Sequence, residues 1–397
     1  MQVGGLSVTT VTVDDAKVGA KLQAVGDNAM VTLPVTGGSD VVVGQLTGAT
    51  VKNMESRAAT LQVVTDRATY TLPAVQINID EIGTQLGENV SLQDISVQVQ
   101  IAQSPAERVA LVEDAAKQGN YLLIVPPVDF SIICTYGDQT VSVSRFNAYV
   151  ERSIAIPQGV DPSKVTTAAV LQSDGTLLHV PTRVTIIDGK YYAEVNSLTN
   201  STYSLIWNQV EFADVARHWA KSAVSDMGSR LVMTGDSADS FGANRPITRA
   251  EFAATIVKAL GLAPASGASP FLDVLADEEY FGYMLTAYER GIMGGFPGNL
   301  FGPERLLTRE EAMSIVVAVM KLTGLPHDLA TGETETILAT YADGQKVGAW
   351  ARNVVAACLK TGIIGGRPGQ TIAPKDCVTK AETAAIVQRL LRRSGLI

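Results

Sequence analysis

The second half of the chain contains one sequence unit repeated three times. Each copy starts with an aromatic residue that is followed two positions later by an aspartate, in the pairs Phe212/Asp214, Phe271/Asp273 and Tyr341/Asp343. A Thr-Arg/Lys-x-Glu tetrad begins 34 to 36 residues after the aspartate, at Thr248, Thr308 and Thr379. A glycine stands 13 residues before each threonine, at Gly235, Gly295 and Gly366. Fixed offsets repeated three times establish an internal repeat, which constrains the fold more than any other feature.

Each repeat is predicted to form a helix, a glycine-containing loop and a second helix. Amphipathic segments precede the glycine at residues 219–231, 280–291 and 350–362. The tetrad predicts a capping box at the start of the second helix, formed by Thr248 with Glu251, Thr308 with Glu311 and Thr379 with Glu382. A helix pair of this size cannot bury its apolar face alone. The three pairs are therefore predicted to pack together, about a pseudo-threefold axis or in a stack.

Capping does not explain the basic residue inside each tetrad, at Arg249, Arg309 and Lys380. The helix macrodipole disfavours a positive charge in the first turn, where an acidic residue is preferred. Two interpretations stay open: a solvated side chain paired with a neighbouring aspartate, or a cation that binds an anion with the help of the helix N-terminus. The threefold repetition of a locally unfavourable residue favours the anion site.

The repeats are not identical at positions that could contact a ligand. Trp219 and Trp350 each lie 16 residues before the repeat glycine, and they are interpreted either as core anchors or as faces that stack on a sugar. Glu279 takes that place in the second repeat, and Leu231 stands in the first repeat where the others have glycine. Lys380 lacks the bidentate fork of arginine. We therefore expect binding grooves of unequal affinity.

The first half of the chain is predicted to be β-structure. Residues 6–206 alternate with period two and are rich in Val, Thr and Ile, with turn dipeptides at residues 174–175 and 188–189. This pattern predicts a mainly antiparallel, sandwich-like domain with minor helices, either single or divided near residues 103–120. One helix is predicted from an N-cap at Ser104 to Gly119, with Glu107 completing a capping box, and a shorter one over residues 80–86.

Composition and motifs exclude several classes of function. Charged residues make up only 18% of the chain and the formal net charge is −9, which argues against a nucleic-acid binder. No apolar run is long enough to span a bilayer, and no zinc-ligand spacing, nucleophile elbow or phosphate loop occurs. No cofactor, metal or catalytic residue is assigned. The acidic pairs at residues 14–15 and 80–81 are interpreted as solvated turn or helix-start carboxylates, and Cys134 as a buried inert thiol.

The repeats resemble the S-layer homology (SLH) domain of Gram-positive surface proteins. The resemblance rests on the aromatic-x-Asp start, on His218-Trp219-Ala220, on the glycine loops at residues 291–295 and 362–366, and on the tetrad at residues 248–251. Three tandem copies at a C-terminus are the usual arrangement in that family. The resemblance implies an all-α pseudo-threefold bundle. The predicted domains are a β-rich surface domain over 1–210 and SLH repeats over 211–265, 266–330 and 331–397.

The resemblance also implies a ligand and the residues that bind it. Grooves between neighbouring SLH repeats bind a secondary cell-wall polysaccharide, typically through a pyruvylated and hence carboxylate-bearing amino sugar. By this analogy Arg249, Arg309 and Lys380 pair with the carboxylate. Asp214, Asp273 and Asp343 accept from sugar hydroxyls or orient the cation. The other binding residues implied are aromatic faces and glycines that let the backbone approach the sugar: Trp219, Gly235, Gly294, Gly295, Trp350, Gly365 and Gly366.

The leading hypothesis is a non-enzymatic, extracellular S-layer-type protein whose SLH trio anchors the β-domain to the cell wall. Its expected partners are the wall polysaccharide and other S-layer subunits, with no nucleic acid and no transmembrane segment. Two alternatives concern residues 1–210: a wall-tethered glycan-active enzyme, or an adhesion or lattice-forming module. The missing signal peptide is interpreted as truncation or processing of a longer secreted chain.

Overall fold

The computed structural model describes residues 2–3, 6–87 and 89–397. The chain divides into two compact units, Met1–Asn208 and Gln209–Ile397, which we call the β unit and the helical unit. The boundaries predicted between the individual repeats stay predictions.

The β unit consists of two sheets, which confirms that the N-terminal half is mainly β-structure. Its strands are β1 (Gln2–Val3), β2 (Leu6–Thr12), β3 (Met30–Pro34), β4 (Val41–Thr47), β5 (Thr60–Val64), β6 (Ala68–Pro73), β7 (Ser96–Gln103), β8 (Leu122–Leu123), β9 (Val128–Tyr136), β10 (Gln139–Ser142), β11 (Arg145–Ala155), β12 (Thr167–Leu171), β13 (Leu177–Val180), β14 (Thr182–Ile187), β15 (Lys190–Thr199) and β16 (Thr202–Trp207). One sheet has the order β1-β2-β4-β7-β9-β16-β12-β13, with β10 beside β9 and β8 beside β16. The other has the order β14-β15-β11-β6-β5-β3.

Among the described strands two pairs are parallel and the other pairs antiparallel, a departure within the mainly antiparallel domain that the sequence predicted. β2 pairs with β4 and β3 with β5 in the parallel direction. Between β2 and β4 the chain passes through helix α1 (Asp15–Val25) and through β3 in the other sheet. Between β3 and β5 it passes through β4 and helix α2 (Gly48–Ser56). Such a crossover returns the chain to the same sheet in the same direction, which a tight hairpin cannot do.

Both helices predicted in the β unit are present, but one of them begins differently from the prediction. Helix α3 (Ile79–Leu86) ends at Gly87 as expected. Helix α4 (Ala106–Gly119) has no side-chain cap, because the Ser104 hydroxyl donates to Asp129 at 2.5 Å instead. The predicted capping box there was therefore wrong. The helix is closed by Asn120 in the left-handed conformation. Helices α1 and α2 were not predicted.

The facing sides of the two sheets share one apolar core. Val99 and Phe130 contribute to it from one sheet, and Leu61 and Tyr70 from the other. Each sheet buries one face against this cluster, so separating the sheets would expose the apolar face of both to solvent.

A charged side chain, Arg152 of β11, is fully buried in the β unit. Its guanidinium donates to the carbonyl oxygens of Val150 (2.6 Å) and Thr199 (3.0 Å) and to Asn200 Oδ1 (2.9 Å). Four aromatic rings lie 4.9 to 5.8 Å from its Cζ atom, those of Tyr70, Phe130, Phe146 and Tyr203. Neutral oxygens and ring faces thus surround the positive charge.

The cysteine thiols are expected to differ in reactivity. Burial raises the pKa of Cys134 to about 12 and also raises the pKa of Cys358, whereas Cys377 is partly exposed. The thiolate is the reacting species. We therefore expect one fast-reacting thiol when the native protein is titrated with dithiobis(nitrobenzoate) at pH 8, and three after denaturation. Cys377→Ser should remove the fast reaction; a fast reaction that persists in this variant would contradict the assignment.

The second unit, all of whose residues are described, contains seven α-helices, together with isolated β-bridges between its loops. The helices are α5 (Lys221–Ser229), α6 (Arg249–Ala259), α7 (Phe281–Glu289), α8 (Arg309–Leu322), α9 (Glu333–Ala339), α10 (Arg352–Lys360) and α11 (Lys380–Arg393). The three repeats contribute the pairs α5/α6, α7/α8 and α10/α11, as predicted from the repeated pattern. Helix α9 lies ahead of Tyr341, where the third copy of the repeated pattern starts, and was not predicted from the sequence. None of the helices in the described part of the chain is long and apolar enough to cross a bilayer.

Helices of different repeats pack against one another in a closed order. Helix α6 packs against α7, α8 packs against α10, and α11 packs against α5. The second helix of each repeat thus meets the first helix of the next repeat, and the third repeat meets the first. We call the contacts of repeats 1 and 2, 2 and 3, and 3 and 1 the first, second and third junctions.

Candidate functional site

The aspartate that opens each repeat fixes the loop before the tetrad of its own repeat. Its carboxylate accepts two consecutive backbone N–H groups at 2.7 to 2.9 Å. The acceptors and donors are Asp214 with Phe241 and Gly242, Asp273 with Phe301 and Gly302, and Asp343 with Ile372 and Ala373. A role for these aspartates toward sugar hydroxyls stays a prediction, since the structure supplies each carboxylate with backbone partners.

The repeat glycine is required by the aromatic residue at the start of the same repeat. A Cβ atom on Gly235, Gly295 or Gly366 would lie 2.6, 2.3 or 2.7 Å from the ring of Phe212, Phe271 or Tyr341. Real Cβ contacts are not that short, so these glycines have a packing reason. Gly294 is different: a Cβ atom there would meet nothing within 4 Å. The same holds for Gly291, so this loop leaves its side open to an approaching molecule at both glycines.

All three tetrads form capping boxes. The threonine hydroxyl accepts the backbone N–H of the glutamate, and the glutamate carboxylate accepts the backbone N–H of the threonine, in Thr248/Glu251, Thr308/Glu311 and Thr379/Glu382. The backbone N–H groups of the two residues between the threonine and the glutamate donate to carbonyl oxygens of the following repeat. Arg249, Arg309 and Lys380 donate in this way to Arg305, Asp376 and Arg245. The helix N-termini are therefore already occupied by protein acceptors.

The basic residues of the tetrads are buried at the junctions. Arg249, Arg309 and Lys380 are 6%, 4% and 6% exposed, so the interpretation as solvated surface cations was wrong. Each arginine donates from Nε and Nη2 to two carbonyl oxygens of the next repeat, at 2.8 to 3.2 Å. The acceptors are Phe301 and Gly294 for Arg249, and Ile372 and Gly365 for Arg309. A planar fork can bridge two such carbonyls, which gives the cation a structural use at each junction.

The residues around the three cations differ in charge. Lys380 Nζ lies 2.6 Å from Asp236, and Arg309 Nη1 lies 2.8 Å from Glu382. Arg249 takes part in none of the ion pairs formed by the described residues. Its Cζ atom lies 4.7 Å from the centre of the Phe296 ring instead. Hydrogen bonds from Arg245 and then from Lys380 hold the pKa of Asp236 at about 2.

One groove of about 260 Å³ is bounded by residues of all three repeats. Residues 232–236 and one face of α6 form its walls, Glu279 and Tyr280 come from the second repeat, and Lys380 comes from the third. Lys258 lines the same groove. Its ammonium lies 5.0 Å from the Tyr283 ring centre, and burial lowers its pKa. The groove therefore offers charges of both signs and a phenol hydroxyl.

The two tryptophans lie on the surface. Trp219 and Trp350 are 64% and 60% exposed, so the interpretation as core anchors was wrong. The ring of His218 lies beside Trp219, with centroids 5.4 Å apart. An exposed indole at the same position of two repeats can provide a flat apolar face to a sugar ring, as the second interpretation requires.

Other candidate chemistry from the sequence has structural partners. Asp14 caps α1 by accepting the N–H groups of Ala16 and Lys17, and Asp80 forms an ion pair with Lys52. Within the ranges that the structure describes, no group of three metal-ligating side chains comes together.

The sequence analysis missed the residue that directly follows the repeat glycine. It is Asp236, Phe296 or Arg367 in the three repeats, and it contacts the residue three positions before the tetrad threonine. The contacts are the Asp236–Arg245 ion pair, the Phe296–Arg305 cation–π contact and the Arg367–Asp376 ion pair. The acid precedes the base in the first repeat (Asp236, Arg245) and follows it in the third (Arg367, Asp376). An alignment of the three copies would have revealed this reversal.

Comparison with known proteins identifies the repeated unit. Residues 211–253, 270–313 and 340–384 match the family model of the S-layer homology domain. The chain is 30% identical over 278 residues to an amylopullulanase of Thermoanaerobacterium thermosulfurigenes, covering 70% of this chain and 14% of the relative. It is 34% identical over 199 residues to exoglucanase XynX of Acetivibrio thermocellus, covering 50% and 18%. It is 31% identical over 176 residues to the surface-layer 125 kDa protein of Lysinibacillus sphaericus, covering 44% and 14%. The matches thus span less than a fifth of each of these relatives.

Proposed function

Because residues 211–384 comprise three S-layer homology domains, we propose that this chain is held non-covalently on a bacterial cell wall by those domains. The ligand in this proposal is a secondary cell-wall polymer that carries a pyruvylated amino sugar. The observation that carries the proposal is the pair of exposed indoles at equivalent positions, Trp219 and Trp350. Single exposed apolar residues are common on protein surfaces, so the support comes from the repetition: an indole is exposed at the same position of two repeats.

The proposal includes a pseudo-threefold arrangement of the repeats. Its support is the closed order of helix packing and the equivalent backbone hydrogen bonds at all three junctions. Such an arrangement would place equivalent backbone positions, with partly different side chains, at three grooves between neighbouring repeats. Several weak grooves along one polymer give attachment by avidity, without requiring one tight site.

Anion recognition in the grooves is proposed for the tetrad cations together with the open backbone at Gly294 and at Gly365. Charge-assisted hydrogen bonds to a carboxylate contribute about 1.5–3 kcal/mol each. The buried positions of Arg249 and Arg309 mean that alanine variants of these residues would also loosen a junction. The test of wall binding therefore uses residues whose loss leaves the packing intact.

We expect Trp219→Ala with Trp350→Ala to weaken binding of the full chain to purified cell-wall sacculi about tenfold, which corresponds to about 1.4 kcal/mol. Both side chains are exposed, so the thermal unfolding temperature should stay unchanged. Leu272→Ala is the matched control, because Leu272 is 75% exposed and apolar. Sedimentation of the protein with sacculi measures the affinity. Unweakened binding of the double variant would remove the stacking role, and no binding of the wild-type chain would remove the anchor.

A second candidate function, action on a glycan, concerns the β unit. It is favoured by the similarity to the amylopullulanase, which covers 70% of the chain and so extends beyond the helical unit. Against it, two cavities of the β unit, of about 200 and 450 Å³, each contain one carboxylate, Asp66 or Asp80. Glycosidases usually need a pair. We therefore propose a non-enzymatic β unit; release of reducing sugar from starch, xylan, cellulose or wall glycan by the full chain would overturn this.

A further inference from the structure

The three junctions differ at the position that follows the repeat glycine. It holds Asp236, Phe296 or Arg367. In the closed packing order of the three repeats, this residue lies near the tetrad cation of the preceding repeat, with the third repeat preceding the first. The difference therefore changes the net charge around a cation that is otherwise repeated. The repeated pattern itself does not require this difference in charge, so the difference is specific to this chain.

At the third junction the cation already has a carboxylate. Lys380 Nζ lies 2.6 Å from Asp236 Oδ1, and Arg245 Nη2 lies 2.9 Å from the same oxygen. Arg245 also pairs with the capping Glu251 at 2.6 Å. Two cations and two carboxylates form a closed set that is neutral. The carboxylate of Asp236 takes the position beside Lys380 that the carboxylate of a bound ligand would need.

At the first junction the same position is an aromatic ring. The Phe296 ring lies between Arg249 and Arg305, with its centre 4.7 Å from the Cζ atom of each. Arg305 pairs with the capping Glu311 at 2.6 Å. Arg249 forms no ion pair with any described residue, and its bonds go to neutral carbonyl oxygens. The equivalent set of side chains here carries a net charge of one positive unit.

At the second junction the charges are again balanced. Arg309 pairs with the capping Glu382 at 2.8 Å. Arg367 pairs with Glu382 at 2.9 Å and with Asp376 at 2.6 Å. Arg367 and Asp376 occupy the positions that Asp236 and Arg245 hold in the first repeat, with acid and base exchanged. The set of side chains at this junction therefore also contains two cations and two carboxylates. Neutralisation is thus achieved by two different routes at two junctions, and is absent at one.

We propose that the residue following the repeat glycine determines which groove accepts an anionic sugar. Asp236 acts as a built-in counter-anion that keeps the third-junction groove closed to carboxylate-bearing ligands. Phe296 leaves Arg249 uncompensated, so the first-junction groove is the one that takes the carboxylate. This inference rests on the proposed wall-binding function and specifies which groove performs it. A second carboxylate beside Asp236 would meet a like charge at short range, which disfavours binding.

The test measures binding of the methyl glycoside of a pyruvylated amino sugar to the full chain by isothermal titration calorimetry. Phe296→Asp places in the second repeat the carboxylate that the first repeat already has, and Phe296→Asn matches its shape without the charge. We expect the Asp variant to bind at least tenfold more weakly than the Asn variant. Equal affinity of the two variants would overturn the inference.

The reciprocal variant should gain a site. Asp236→Asn removes the carboxylate beside Lys380 and is expected to raise the number of sugar molecules bound per chain by one over the wild type. Asp239→Asn, an exposed acid in the same loop, is the matched control and should bind as the wild type does. An unchanged stoichiometry in Asp236→Asn would overturn the inference. A gain in this variant supports it even if the wild-type chain fails to bind sacculi, which would remove the wall anchor alone.

Loss of the ion pair at Asp236 could unfold the junction, so a second variant and a direct measurement accompany it. Asp236→Phe with Lys380→Arg reproduces the side chains of the first junction and should also gain a site. Amide chemical shifts of the wild-type chain should change at Gly295 on addition of the sugar and stay constant at Gly235. Shifts of equal size at both glycines would overturn the inference without any substitution.

Discussion

Gly295→Ala should destabilise the helical unit by about 3 kcal/mol, whereas Gly294→Ala, one residue away, should change its stability by less than about 1 kcal/mol. A Cβ atom on Gly295 would lie 2.3 Å from Phe271 Cε1 and 2.7 Å from the carbonyl oxygen of Leu300. The ring is buried and the carbonyl belongs to the backbone, so neither can move away cheaply. On Gly294 the same atom meets nothing within 4 Å.

The two glycine variants separate packing from ligand binding. Urea unfolding, followed by circular dichroism of the full chain, measures the free energy of unfolding of each variant. Gly295→Ala should cost less in a Phe271→Ala background than in the wild type, because the ring that the methyl group meets is then absent. Equal stability of the two single variants would show that the aromatic residue at the start of the repeat does not require the glycine.

Arg152→Ala should destabilise the β unit by about 4 kcal/mol. The side chain is fully buried, and its loss leaves a cavity among four rings. It also leaves the carbonyl oxygens of Val150 and Thr199 without these donors.

A matched set of variants identifies which property of Arg152 matters. Arg152→Met fills most of the volume and should cost about half as much as Arg152→Ala, since the hydrogen bonds and the cation–π contacts are lost but no large cavity is left. Arg145→Ala removes an exposed arginine of the same strand and should cost less than about 1 kcal/mol. Denaturant unfolding of the full chain measures all three. If Arg152→Ala is as mild as Arg145→Ala, the buried guanidinium does not stabilise the core.

Local features were predicted well from the sequence because they depend on residues close together in the chain. The capping boxes at Thr248, Thr308 and Thr379 follow from a spacing of three residues, and the helix pairs follow from apolar periodicity. Where a local pattern had a competing partner, the prediction was wrong. Ser104 had the sequence of an N-cap, but a strand placed Asp129 within reach of its hydroxyl.

The solvent exposure of individual side chains was harder to predict. Trp219 and Trp350 fit a core helix by spacing, yet both are exposed, because the helices after them begin at Lys221 and Arg352 and leave the indoles outside. The parallel pairs of the β unit were missed for a related reason. Alternation gives the face of a strand, but the direction of its neighbour depends on the path of the chain between them.

The sequence by itself determined that three equivalent helix pairs form, where each second helix starts and which residues cap it. These properties depend on backbone geometry over a few residues, which fixed offsets encode. Only the tertiary structure decided which cation meets which partner. Lys380 and Asp236 are 144 positions apart in the chain, and their contact exists because the third repeat packs against the first. The net charge of the side chains at each junction is set by that closure, so it cannot be deduced from one repeat alone.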